Sequence, residues 1–165
     1  MSRWRPPSPK SSPYITPEGY RALEAELRAL DERRRETVRH LAAAAAEGDR
    51  SENAEYIYRK KELREIDRRL GYLQRRMPTL TIVSRPPPVS DQIFFGAWVT
   101  LEDDSGNDHC HRIVGADETA LGTGWISVDA PLAQALLKRK VDEEIQFVTG
   151  EGTLRYLILE VRYAP

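Results

Sequence analysis

The stretch AEGDRSENAEYIYRKK, residues 46–61, sets Gly48 and a knot of carboxylates between two long runs that both carry helical periodicity. Upstream, Thr16 stands as an N-cap with Pro17 at the first helical position, and Gly48 supplies the stop. Between them Tyr20, Leu23, Leu27, Leu30, Thr37, Leu41 and Ala44 follow the alternating 3,4 spacing of a coiled-coil seam, with Arg34 the one charged interruption. Downstream, Tyr56, Leu63, Ile66, Leu70, Leu73 and Met77 repeat the pattern until Pro78 ends it. So short a turn makes the two helices antiparallel neighbours. At 1.5 Å per residue each arm is roughly 40–45 Å long. The quoted stretch is therefore the tip of a thin helical finger.

The finger, residues 14–80, follows a basic Pro/Ser-rich segment, residues 1–13, whose composition predicts disorder. A proline-rich linker, residues 81–91, leads into a region of different patterning at residues 92–165. There IFFGAWVTL and HCHRIVG flank the turn-rich EDDSGND, which predicts a β-hairpin. GWISV reads as a short strand, PLAQALLKRK as a short helix, and EIQFVTGEGTLRYLILEVRY as two strands about a Gly-Glu-Gly turn. The whole is an α+β chain, an antiparallel helical hairpin followed by a small α+β domain.

Charge is unevenly spread. The 165 residues carry 25 basic and 26 acidic side chains, yet residues 81–165 hold seven Lys/Arg against thirteen Asp/Glu. The single cysteine, Cys110, excludes an internal disulfide framework and fits a reducing compartment. With no apolar signal region and no run near the roughly 20 residues a bilayer requires, the expectation is a cytoplasmic protein without a membrane partner.

Two chemistries compete at the tip. Asp49 and Glu52 stand three apart at a helix start, close to a capping box. Yet Asp49, Glu52 and Glu55 also crowd three carboxylates within seven residues, and their mutual repulsion invites a cation. Mg2+ takes oxygen ligands and is commonly held by only one or two protein carboxylates, the rest coming from water, phosphate or a partner. Behind the tip lie Arg59, Lys60, Lys61, Arg64, Arg68 and Arg69, of which Lys60, Arg64 and Arg68 repeat every four residues. They read either as a solvated face paired with Glu62, Glu65 and Asp67, or as a sequence-independent contact to RNA phosphates. His109, Cys110 and His111 lack further ligands at zinc-site spacing and read as ordinary strand residues.

ITPEGYRALEAEL, GDRSENAEY, KKELREIDRRLGYL, FFGAWVTLEDDSG, RIVGADE and ISVDAPLAQALL, in that order, resemble the bacterial transcript cleavage factors of the GreA/GreB family. The basic second arm is closer to GreB. The resemblance implies a coiled coil that enters the secondary channel of RNA polymerase and an FKBP-like domain that docks at its rim. It also implies that Asp49 and Glu52 help hold a Mg2+ ion shared with the polymerase, supported at the tip by Ser51, Asn53 and Tyr56. The chain would then be a monomeric catalytic cofactor for cleavage of backtracked RNA 3′ ends, and not itself an enzyme. By the same resemblance the basic arm contacts the nascent RNA 3′ segment, and Asp129 and Pro131 contact the polymerase. Asp129 also has a local reading as the cap of the helix that Pro131 opens. Asp142-Glu143 and the TGEG turn depart from the family's usual Gly-Asp and Pro-containing hairpin, which bears on local turn geometry. The alternatives are a channel-binding regulator without cleavage activity and, on fold analogy alone, a prolyl isomerase.

Overall fold

The computed structural model describes residues 10–47, 53–88 and 91–164. They form two compact units, one over Tyr20–Leu80 and one made of the residues up to Gly19 together with those from Thr81 onward.

The helical unit is the expected hairpin. Helix α1, Pro17–Ala46, starts where Thr16 Oγ1 accepts the Gly19 N–H at 3.0 Å, so Thr16 is the cap that the sequence predicts. Helix α2, Ala54–Arg76, ends in a 3-10 turn, Met77–Thr79, at Pro78. Leu23, Thr37 and Ala44 of α1 are buried, as are Ile66, Leu70, Leu73 and Met77 on the second arm. These are seam positions read from the spacing.

The charged break in the seam falls elsewhere than expected. Arg34 is exposed and pairs with Asp67 at 2.6 Å. The buried charge is Glu62, whose Oε1 accepts Arg33 Nε at 3.0 Å and Nη2 at 2.7 Å while Oε2 accepts Arg59 Nη1 at 3.0 Å. Three charge-assisted bonds satisfy a carboxylate that would otherwise be costly to bury. They also hold its pKa below the usual range, the Arg33 bonds being the largest cause.

The second unit starts earlier than the composition suggests. Strand β1, Tyr14–Ile15, pairs in parallel with β2, Thr81–Ile82, and the ladder extends through Thr81 N–H to Pro13 O at 2.7 Å and Val83 N–H to Ile15 O at 2.9 Å. The first residues assigned to a linker are thus a strand, and the last residues assigned to a disordered tail carry specific hydrogen bonds. A main sheet of order β5-β4-β3-β7-β6 follows. Strands β3, Trp98–Asp103, and β4, Asp108–Val114, make the predicted hairpin, and β5, Trp125–Ser127, joins β4 in parallel. Helix α3, Pro131–Leu136, separates β5 from the antiparallel pair β6, Glu144–Thr149, and β7, Gly152–Arg162.

Val99, Leu101, Ile113, Ile145 and Ile158 from the strands meet Ala133 and Leu136 of α3, with Ile93, Ala97 and Val128, in one buried core. Alternation along β3 puts Val99 and Leu101 inward, as a one-sided sheet requires. Asp142 adopts a φ of 69°, the left-handed conformation that a glycine takes without strain.

A buried carboxylate fastens the start of α1 into this unit. Glu118 is fully buried, and it accepts the Thr16 N–H at 2.9 Å, the Gly115 N–H at 2.7 Å and the Thr16 hydroxyl at 2.5 Å. A negative group at a helix N-terminus is favoured by the helix dipole. Gly19 is required beside it, because a Cβ there would lie 1.9 Å from Glu118 Oε2.

Candidate functional site

Asp49, Ser51 and Glu52 fall outside the described residues. The arms on either side of them are described. Helix α2 is capped by Asn53, whose Oδ1 accepts the Tyr56 N–H at 3.1 Å. The cap is therefore one position beyond the Asp49–Glu52 pair that the spacing offers for it. Asn53 also donates its Nδ2 to Ala44 O at 2.8 Å, so one side chain caps α2 and ties it to the last turns of α1. Both ends of the amide are used; aspartate offers no donor, and serine has a single short oxygen for both tasks. Tyr56 is half-buried and lies beneath Lys60, whose Nζ is 5.9 Å from the ring centroid.

The six basic candidates divide into two groups. Arg59 donates Nε to Glu55 at 2.7 Å as well as Nη1 to Glu62, and these two acids raise its pKa, the hydrogen bond to Glu55 being the largest cause. Arg69 makes a two-pronged pair with Glu26 across the hairpin, at 2.6 and 2.9 Å, and its guanidinium lies 5.2 Å from the Tyr72 centroid. Arg69 thus ties the two arms together, while Arg59 is engaged within α2, where its partner Glu62 is bonded in turn by Arg33 of α1. Lys60, Lys61, Arg64 and Arg68 are exposed, and none of them makes an ion pair with a described residue. Lys61, Arg64 and Arg68 line a shallow groove with Ile57 and Glu65 on one helix face. Ile57, which lines this groove, and its neighbour Tyr58 are each more than half exposed; neither falls on the seam read from the spacing.

In the sheet unit, Asp129 does not cap α3. The cap position belongs to Ala130, with no side-chain bond, and Pro131 is the first helical residue. The Asp129 carboxylate instead accepts the Ser12 N–H at 2.8 Å and the Ser12 hydroxyl. His109 pairs with Asp103 at 2.8 Å, and His111 Nδ1 meets Gly124 O at 3.1 Å, so the two histidines have ordinary strand roles. Among the described residues no group of three or more His, Cys, Asp or Glu side chains is close enough to hold a metal ion. No described helix is long and apolar enough to cross a membrane.

Two family models match: "Transcription elongation factor, N-terminal" over residues 13–82 and "Transcription elongation factor, GreA/GreB, C-term" over residues 88–163. The chain is 56% identical to transcription elongation factor GreB of Xanthomonas axonopodis pv. citri over 99% of both chains. It is 47% identical to the GreB of Pseudomonas aeruginosa over 100% of this chain and 99% of that one. Among solved structures, the GreA factor homolog Gfh1 of Thermus thermophilus aligns at 24% identity with a TM-score of 0.40, covering 90% of this chain and 97% of the other. With both halves matched in order and a relative more than half identical along the full length, the chain belongs to the GreA/GreB family of transcription elongation factors.

Proposed function

We propose that the helical hairpin enters the secondary channel of bacterial RNA polymerase and brings Asp49 and Glu52 to the polymerase active site, where backtracked RNA is cut near its 3′ end. The chain acts there as a monomeric catalytic cofactor in the cytoplasm, with no complete active site of its own. The observation that carries this reading is the division of labour at the start of α2. Asn53 does the capping, so the structural task that would account for Asp49 and Glu52 is already discharged by another residue.

Mg2+ suits what remains. Two carboxylates on a short connection are a typical protein share for this ion, with water, RNA phosphate and polymerase carboxylates supplying the other ligands. Asp49 and Glu52 would hold such an ion, and when bound it would supply charge stabilisation for an in-line phosphodiester displacement. Asp49 and Glu52 hold and orient. Lys60, Lys61, Arg64 and Arg68 neutralise phosphates of the extruded RNA segment without reading its sequence. Asp129 and Pro131 dock against the polymerase.

The test is a stalled, backtracked elongation complex with the purified protein added. RNA should shorten from its 3′ end with Mg2+ present, and free RNA should remain intact. Asp49→Asn and Glu52→Gln should each still bind the polymerase while cleavage falls by about tenfold or more, roughly 1.4 kcal/mol in the barrier. Normal cleavage by both variants at limiting Mg2+ would leave channel occupation without cleavage as the function.

A further inference from the structure

Asp129 is exposed and spared from capping α3, yet its carboxylate is occupied. Ser12 gives it two donors at once, the backbone N–H to Oδ2 at 2.8 Å and the hydroxyl to Oδ1. Ser12 is not there by chance of a loose chain. The next residue, Pro13, accepts the Thr81 N–H at 2.7 Å, and Tyr14–Ile15 pair with β2, so the segment is held against this unit immediately beyond Ser12. On its other side Asp129 is braced by its own N–H, which donates to Ser127 Oγ at 3.1 Å. A braced carboxylate facing a donor pair from 117 residues away is a receptor with its occupant in place.

We propose that the Asp129 loop recognises a free backbone amide with an adjacent hydroxyl, that Ser12 fills it in the isolated protein, and that the polymerase element docking there must displace Ser12. The N-terminal segment is thereby an internal competitor that lowers affinity for polymerase. This rests on the docking role given to Asp129 above. The chemistry also defines the partner surface: a segment offering unpaired N–H and hydroxyl donors, as the first turn of a helix bearing serine or threonine does. Hydrogen bonds to an ionised carboxylate are stronger than neutral ones, and solvent exposure at this site reduces their net worth.

The experiment is an equilibrium titration of core RNA polymerase with full-length protein carrying Ser12→Pro, Ser12→Ala, Asp129→Ala, or Ser12→Pro with Asp129→Ala. Ser12→Pro removes both donors and leaves the charge of the segment unchanged. It should bind roughly three- to tenfold tighter than the parent, with Ser12→Ala in between. In the Asp129→Ala background the same change should have no effect. If Asp129→Ala weakens binding but Ser12→Pro leaves it unchanged or weakens it, the competition is refuted and Ser12 is at most a contact of its own. If Asp129→Ala binds as the parent does, the docking assignment itself falls and takes the proposal with it.

Discussion

Replacing Asn53 tests whether one amide fixes the end of the finger. Its Oδ1 caps α2 through Tyr56 N–H, and its Nδ2 reaches Ala44 O at 2.8 Å. Removal of an N-cap side chain costs about 1 kcal/mol, and a half-buried hydrogen bond between neutral groups adds about 1 kcal/mol. Asn53→Ala should therefore destabilise the helical unit by about 2 kcal/mol. For a unit of this size that lowers the melting temperature by roughly 8–16 °C. Asn53→Ser retains a cap acceptor, but its single short hydroxyl cannot also span the turn, so it should lose about half as much. Asn53→Asp also keeps the cap and sets an oxygen against Ala44 O, so it should be no better than serine. Thermal unfolding followed by helical circular dichroism reads all three. An alanine variant melting within about 2 °C of the parent would refute the reasoning, because neither bond would then carry its expected weight. Under the proposed function, the serine variant should lose cleavage activity while retaining polymerase affinity, since the bond to Ala44 sets the span across which Asp49 and Glu52 are presented.

Other perturbations follow from the same geometry. Gly19→Ala would place a Cβ 1.9 Å from Glu118 Oε2, and relieving that clash must break bonds to a buried carboxylate; a loss of about 3 kcal/mol in urea unfolding is expected. Asp103 is held well below the usual carboxylate range, first by His109 and then by the Asn107 and Ser105 N–H groups. Its contribution is present above the ordinary carboxylate pKa and disappears as pH falls through the depressed value, so Asp103→Asn should flatten the acid side of the stability profile. Combined Lys61→Ala, Arg64→Ala and Arg68→Ala should lower the slope of log affinity for single-stranded RNA against log salt by about 2, whereas Arg69→Ala should leave the slope unchanged and destabilise the hairpin through its lost Glu26 pair.

The features legible in the sequence are those whose causes are local. Thr16 before Pro17, the stop at Pro78, the hydrophobic seam and the turn between β3 and β4 each depend on residues a few positions apart, and each was found where the spacing predicts it. Strands β1 and β2 were not legible, because two residues cannot display a period. Glu118 and Glu62 read as surface acids until their donors are known. Those donors are Thr16, 102 residues away, and Arg33, 29 residues away. The tip shows how such distant contacts choose between local signals of equal strength. Asp49 and Asn53 are equally good caps by residue type. What separates them is the second half of the amide: only asparagine can accept from Tyr56 and simultaneously donate to Ala44, which belongs to the other helix. The same logic moves Asp129 away from α3, where Pro131 already provides a helix start without a side-chain cap, and toward Ser12. At Asp129 a residue that local rules assign to helix capping is relieved of it by a neighbour. A carboxylate relieved in this way keeps its acceptors for a partner, and at Asp129 the partner already present is the chain's own N-terminal segment.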